Sequence, residues 1–522
     1  MNGRNAITRW TPVLAVVGAI LLLLGAYWIR RAALPHHDIV IDGRDCHTPV
    51  TILDPPPGVS PVGSAIVLHG LSADRRVMTY LGSDFAGHGF RTYLFDLAGH
   101  GDNTDAFTFP RAEQCAAVAI DSLTRSAAID PRKTILFGHS MGGEIAVRMA
   151  DHDPVAATIA LSPAPMTLPL RMPSNLLVIA GGLDLWPVKR EAQALAAAAG
   201  GDRTAPTDFA EQRAFQLVML PYATHTTGLL DRHVAHRSEL WAMRALFPGV
   251  PPATLALNLD LATYQTFDRG RHRLAGAILG LIGLALLFPL ALEISSKLAG
   301  PPQQHLSPAR PSRALAAAEG AVGALAAVLV LSLGLPLRFL HLYAGSYLAS
   351  LLLIDGVFLL ALNWKAAKES WSVHVRPILA SALLGFAVFL ATGAWLNWQL
   401  ADMWMNAPRW LRFAELLPIG FVVCFAEEVV LGAVEGGQRR ALRYFIALVL
   451  RLELWLACLL AYYRLANGEV LILILFFGLA GFSLLQRLAT DALRVRTGSA
   501  IGAALFGAIL AAWFVAAIFP LT

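Results

Sequence analysis

Apolar positions fall into two regimes along the chain. Between residues 38 and 260 short apolar runs alternate with amphipathic stretches, whereas from about residue 272 onward Leu, Ala, Val and Phe dominate run after run. In the first regime AIVLHG (65–70), RTYLFDL (91–97), TILFGHS (134–140), ATIALS (157–162), NLLVIAG (175–181) and FQLVML (215–220) have the length and continuous apolarity of strands covered on both faces. The stretches around 76–88, 112–128, 141–151, 187–199 and 231–246 have helical length and spacing. Strand–helix alternation with short connections predicts an α/β domain over residues 38–250, a doubly wound, mostly parallel sheet with helices on both faces.

The second regime predicts an all-α polytopic bundle. Runs near 274–292, 315–336, 342–362, 378–400, 413–434, 442–463, 469–486 and 499–519 each reach spanning length, so residues 272–522 are expected to hold about eight transmembrane helices. A further run, 13–29, follows Arg4 and Arg9 and leads into Arg30-Arg31 with no small-residue cleavage site, so residues 1–33 read as a signal anchor rather than a cleaved signal peptide. Nine spans result. With the α/β domain outside, the loops then facing the cytoplasm carry twelve Lys and Arg, from Lys297 to Arg496 and including Arg310. The opposite loops carry seven, from Arg269 to Arg464 and including Arg338. The bias favours an extracytoplasmic domain, although Arg30 and Arg31 oppose it at the anchor.

Composition agrees: 56% hydrophobic and only 15% charged residues place much of the chain in lipid. The net charge of +5 comes almost entirely from Arg without a dense cluster, which reads as membrane flanking and excludes nucleic-acid binding. The Arg- and Ala-rich bias fits a bacterial, GC-rich coding origin and hence a bacterial cytoplasmic (inner) membrane. Four cysteines without a Cys-x-x-Cys pair suggest neither a disulfide scaffold nor a metal site. Cys424 and Cys458 lie in apolar runs. Cys46 and Cys115 could pair outside the cytoplasm, but spacing does not fix their distance, and the expectation is two unpaired thiols.

The chemistry centres on TILFGHSMGGEIAVRMA, which sets Gly138-His139-Ser140-Met141-Gly142 between a strand and a helix. A serine on that sharp turn is exposed as a nucleophile, and flanking glycines allow strand and helix to pack closely. A hydroxyl needs a base, and in this context the partners follow in the order Ser, acid, His. Asp184, after GGL at the end of the next-to-last strand, is the candidate acid, and His225, in PYATHTTG after the last strand, the candidate base. As a turn carboxylate, Asp184 could also cap the helix that begins near Pro187. His233 and His236 read as surface residues of a helix, His139 as local packing, and His69 and Asp96 as structural. The backbone N–H groups of Leu71 and Met141 are the candidate oxyanion donors, with Gly70 allowing close approach to a substrate carbonyl.

The segments VLHGLSADRRVMTYLGSDFAGHGFRTYLFDLAGHGDN, FGHSMGG, GGLD and TH resemble the monoacylglycerol-lipase and serine-aminopeptidase-like branch of the α/β-hydrolase superfamily, over roughly residues 60 to 245. That resemblance implies the α/β-hydrolase fold and cleavage of an ester, lipid-ester or peptide bond through an acyl-enzyme at Ser140, with no metal or cofactor. The chain departs from the branch in having Ala98 before Gly99-His100-Gly101 where Arg is usual, and in lacking a cap around residues 163–174.

In the apolar half, Glu427-Glu428 is similar to the Glu-Glu-x-x-x-Arg motif of membrane prenyl-protein proteases. Gly432 stands where the Arg is needed and no His-bearing partner follows, which excludes that assignment. Glu427, Glu428, Arg451, Glu453 and Asp355 are ionisable residues inside expected spans, either a polar site or Arg–Glu pairs that fix helix packing. Together these observations predict a membrane-anchored serine hydrolase acting on a small-molecule or lipid acyl substrate. The alternatives are a transport or export protein with an accessory hydrolase-fold domain, an acyltransferase, and a binding module that keeps the fold without catalysis.

Overall fold

The computed structural model describes residues 2–149, 155–256, 258, 269–301, 313–333, 339–432, 438–464 and 470–522. Arg310, Arg338 and the parts of the expected elements at 150–151, 334–336, 433–434 and 469 lie outside them. The described residues form two compact units, one of Leu21–Leu281, Trp395–Met403 and Pro520–Thr522, the other of Met1–Ile20, Ile282–Ala394 and Trp404–Phe519.

All six expected strands form in the first unit, preceded by a hairpin absent from the sequence reading. The hairpin is β1 (His36–Gly43) and β2 (Cys46–Leu53), and the six are β3 (Gly63–Leu68), β4 (Phe90–Phe95), β5 (Thr134–His139), β6 (Ala157–Leu161), β7 (Leu176–Gly181) and β8 (Phe215–Leu220). Their order is β1-β2-β4-β3-β5-β6-β7-β8, antiparallel from β1 to β4 and parallel thereafter. The hairpin is half-polar, with His and Asp along β1, so it lacks the continuous apolar run of the parallel strands. Its reversal is made by Arg44 and Asp45, both at positive φ, which matches the twist of the paired strands.

The helices of this unit are α1 (Asn2–Ala32, from Leu21 on), α2 (Thr79–Gly87), α3 (Phe109–Arg125), α4 (Met141–Arg148), α5 (Trp186–Ala199), α6 (Pro206–Ala210) and α7 (Arg232–Leu246). Local signals set their ends: the Thr108 hydroxyl accepts from Arg111 N–H at the start of α3, and Asp231 from His233 N–H at the start of α7. Phe85, Phe90, Ile135, Phe137, Ile159, Ile179 and Trp241 are buried between sheet and helices. Each aromatic or branched side chain so removed from water contributes about 1.5–3 kcal/mol.

Cys46, at the start of β2, is disulfide-bonded to Cys115 of α3, their Cα atoms 5.4 Å apart. This corrects the expectation of two unpaired thiols: the β2 strand lies against α3, a long-range contact that 69 residues of sequence separation conceal. Distant segments join the same unit through backbone hydrogen bonds. Leu521 donates to Gly99 and accepts from Phe107, Asp402 N–H donates to Asp74, and Gly270 N–H donates to Asp84 on α2.

Among the described residues, seven helices are long and apolar enough to cross a membrane: Trp10–Ala32, Arg269–Ala299, Leu315–Ser332, Gly345–Leu362, Val375–Trp398, Ala441–Tyr463 and Ala500–Ile518. The two other runs read as spans, 413–434 and 469–486, fall on Ala407–Leu431 and on Val470–Ile474 with Phe476–Thr497. There charged side chains interrupt the apolar pattern, and these charges meet in the second unit. Glu427 receives a bidentate pair from Arg451 at 2.7 and 2.8 Å and a further bond from Arg487, while Glu428 binds Arg443 and Arg487 at 2.7 and 2.6 Å. Asp491 receives Arg443 at 2.7 Å. These groups therefore neutralise one another and fix the packing of three helices.

His88, just after α2, pairs with the buried Glu239 of α7 at 3.0 Å. Burial disfavours the imidazolium, but the Glu239 carboxylate outweighs it and raises the His88 pKa to about 9. A raised pKa makes this contribution complete below about pH 6.5, where an unfolded imidazole is also charged. The contribution is lost as pH rises through about 9. Thermal melts across that window should show wild type losing stability towards pH 9 and above, and His88→Gln should flatten that slope; equal slopes would refute the pairing.

Candidate active site

Ser140 sits between β5 and α4 with φ 53° and ψ −115°, a conformation that L-residues adopt only under constraint. The constraint is supplied by backbone packed where side chains would stand. A Cβ on Gly138 would run into the carbonyl of Gly142, and one on Gly142 into the carbonyls of Leu68 and His69. Ser140 N–H donates to Leu161 O at 2.9 Å, pinning the turn to the end of β6.

The structure brings the three candidate side chains into one hydrogen-bonded chain. His225 Nε2 lies 2.9 Å from Ser140 Oγ, and His225 Nδ1 lies 2.9 Å from Asp184 Oδ1. All three residues are buried. Burial pushes the Asp184 carboxyl up, but the hydrogen bond and charge of His225 outweigh it and hold the group below the usual carboxylate range. Asp184 Oδ1 also accepts from Leu185 N–H at 2.7 Å, so the turn that carries the carboxylate is closed by it. An ionised acid held in this way fixes the imidazole's orientation.

Met141 is the first residue of α4, where backbone N–H groups have no helical acceptor. Leu71 follows Gly70, whose absent Cβ would stand 2.8 Å from His139 Nδ1 and 3.0 Å from Ser140 Cβ. The chain after β3 therefore passes directly beside the nucleophile, and both candidate oxyanion donors flank Ser140.

Two histidines treated as packing residues have definite tasks. His139 donates from Nε2 to the carbonyl of His225 at 2.9 Å, and burial followed by the charge of His225 lowers its pKa to about 3, so it is a neutral donor that orients the loop bearing the base. The proximity of His139 to the nucleophile in sequence is the signal that could have found it. His69 donates from Nδ1 to Gly70 O and accepts Leu97 N–H at 3.0 Å, with burial lowering its pKa; it ties the loops after β3 and β4 together. Asp96 binds Arg75 and accepts Arg75 N–H and Asp102 N–H, a structural task as expected. His233 is exposed and His236 half-buried on α7.

The 14 residues between β6 and β7 contain neither helix nor strand, so no cap covers the site from that connection. Around the triad loops stand exposed apolar side chains, with Leu183 and Trp186 flanking Asp184, Tyr222 three residues before His225, and Leu170 in the capless connection 98% exposed.

Residues 65–289 match the model of the "Alpha/beta hydrolase family". A protein of Mycobacterium phage D29 that carries a non-heme haloperoxidase name is 35% identical over 112 residues, 20% of this chain and 39% of that one. An uncharacterised protein of Mycobacterium tuberculosis is 30% identical over 100 residues, 19% and 36% of the two chains. The chain thus spans less than half the length of these relatives. Among solved structures, a lidless α/β serine hydrolase of Xanthomonas campestris is 21% identical with a TM-score of 0.34, covering 42% of this chain and 98% of its own. An esterase of Pyrobaculum calidifontis is 14% identical with a TM-score of 0.33, covering 46% and 94%.

Substituting Gly142 by Ala sets a Cβ against the Leu68 and His69 carbonyls, which cannot rotate away. Overpacking of this kind costs about 1–3 kcal/mol. Gly142→Ala is expected to lower the thermal midpoint of the hydrolase unit, while Gly200→Ala, whose neighbourhood is open but whose φ is +76°, should cost less; the reverse ranking in a melting experiment would refute the close-packing account.

Proposed function

We infer that this chain, whose residues 65–289 match the α/β-hydrolase family model, is a membrane-anchored serine hydrolase that cleaves an ester or lipid-ester acyl bond. The observation that carries the reading is the Ser140–His225–Asp184 chain of hydrogen bonds, closed at 2.9 Å on both sides of the imidazole. His225 takes the Ser140 proton as Oγ attacks the acyl carbon, and Asp184 stabilises the imidazolium that forms. The tetrahedral oxyanion is received by the N–H groups of Leu71 and Met141. Collapse expels the alcohol, which takes its proton from His225, and leaves an acyl-enzyme. Water, activated by the same imidazole, then frees the acid and restores Ser140.

The substrate class follows from the surroundings. An opening without a cap, bordered by Leu183, Trp186, Tyr222 and Leu170, offers an acyl chain apolar surface outside the polar chemistry. The seven apolar helices of spanning length among the described residues support a place for the same chain in a membrane, where lipid esters are concentrated. The Cys46–Cys115 disulfide supports an oxidising compartment, and with the charge bias of the loops it favours a hydrolase unit outside the cytoplasm of a bacterial inner membrane.

A fluorophosphonate should label the full-length protein in membranes and fail to label Ser140→Ala; equal labelling would reject the nucleophile. Asp184→Asn should retain the fold and lower kcat on a soluble acyl ester by about 10⁴, because the imidazole loses its orientation and counter-charge. A thiol reagent that cannot cross membranes, applied to intact cells carrying an added surface cysteine in residues 190–215, should react without permeabilisation; reaction only after it would place the unit inside.

A further inference from the structure

Among the described residues, two carboxyl groups placed well inside helices of the second unit, Asp355 and Glu453, take no part in its ion pairs. Asp355 lies on the helix Gly345–Leu362, ten residues after its first residue and seven before its last. Glu453 lies on the helix Gln438–Arg464, within its spanning stretch Ala441–Tyr463, twelve residues after the first of these and ten before the second. At about 1.5 Å of rise per residue, each stands on the order of 10 Å or more from either end of its helix, deep in a hydrocarbon layer about 30 Å thick.

Both reach the same helix, Arg313–Ser332, at a notch made by two glycines one turn apart. A Cβ on Gly323 would stand 2.5 Å from Asp355 Oδ1, and one on Gly320 would stand 2.7 Å from Glu453 Oε2. The missing side chain at Gly323 is thus the space the Asp355 carboxyl occupies, and that at Gly320 is shared by Leu450 and the Glu453 carboxyl. Asp355 is 8% exposed, and its Oδ1 has no hydrogen-bond partner among the described residues; neither has Glu453 Oε2. The charges that reach Asp355 are those of Glu427 and Glu453, both acidic. Glu427 itself is committed to Arg451 and Arg487.

A buried carboxylate with one oxygen unbonded and two acidic neighbours is a costly arrangement inside a membrane, and a proton or a cation at that oxygen relieves it. We propose that Asp355, with Glu453 beside it in the Gly320–Gly323 notch, is a monovalent-cation site of the membrane unit, taking a proton or a sodium ion. The site is separate from Ser140 and gives the helical unit a function of its own, the binding and exchange of a cation at mid-membrane depth. The Arg–Glu network holds Glu427, one of the two acidic neighbours of Asp355, by Arg451 and Arg487.

The test uses the full-length protein in native membranes with dicyclohexylcarbodiimide, an apolar reagent. A protonated carboxyl adds across one of its C=N bonds, and the adduct rearranges to an N-acylurea with no atom leaving, so the labelled peptide gains the whole reagent mass. The expected result is an adduct at Asp355 that is lost in Asp355→Asn and in Gly323→Val, which fills the notch. Loss of labelling with rising pH and indifference to sodium would identify the proton as occupant. Protection by sodium but not by choline would identify sodium. An adduct at Glu427 in place of Asp355, absence of any adduct at Asp355, or labelling indifferent to both pH and sodium would overturn the proposal. Fluorophosphonate labelling of Ser140 in the same membranes reports independently on folding and on the hydrolase reading, since neither variant touches the triad.

Discussion

Backbone packed against backbone at the β5–α4 turn is the constraint on which the hydrolase unit depends. Gly138 and Gly142 stand in contact, and Gly142 in turn touches the carbonyls at the end of β3. This contact holds α4 tightly over the sheet and forces Ser140 into its positive-φ conformation. The strain is tolerated because strands β3, β5 and β6 on either side are buried and fully paired, so the turn has nowhere to relax. The same geometry exposes a hydroxyl above the sheet and leaves the first N–H of α4 without a helical acceptor beside it.

Charge is distributed around that turn with one ionised carboxylate and two silent imidazoles. Asp184 is kept as a carboxylate by His225, while His139 and His69, deeper in the unit, are held neutral by burial. Neutral histidines can each donate one hydrogen bond without adding a positive charge that would compete with the base. His139 spends its donor on the carbonyl of His225, and His69 on the loop that leads to Leu71, so the base and an oxyanion donor are positioned by groups that do not themselves react.

In the apolar unit the same rule of satisfaction applies with less water to help. Glu427, Glu428 and Asp491 are matched by Arg443, Arg451 and Arg487 through short bonds, as ionised groups in a hydrocarbon setting require. Against that pairing of whole side chains, Asp355 and Glu453, which take part in no ion pair among the described residues, stand out. The contrast between paired and unpaired acids within one helix bundle separates a packing device from a site.

Much of this was legible in the chain order. Continuous apolar runs located the six parallel strands to within two residues or so at either end, because strands covered on both faces leave no other pattern. Ser140, Asp184 and His225 followed from a turn motif and the order of strand ends, each residue sitting where its loop leaves the sheet. The β1–β2 hairpin was not legible, since an edge strand with one wet face alternates polar and apolar residues and its turn depends on Arg44 and Asp45 at positive φ. The spans at 413–434 and 469–486 were read from hydropathy alone, which does not register that their charges meet. Local sequence thus determined the strands and the strand-end positions of Ser140, Asp184 and His225, because each depends on periodicity or on a turn of a few residues. Tertiary structure alone decided the Cys46–Cys115 bond, the His139 contact with His225 and which buried acids find arginines, because those turn on distances between segments tens of residues apart.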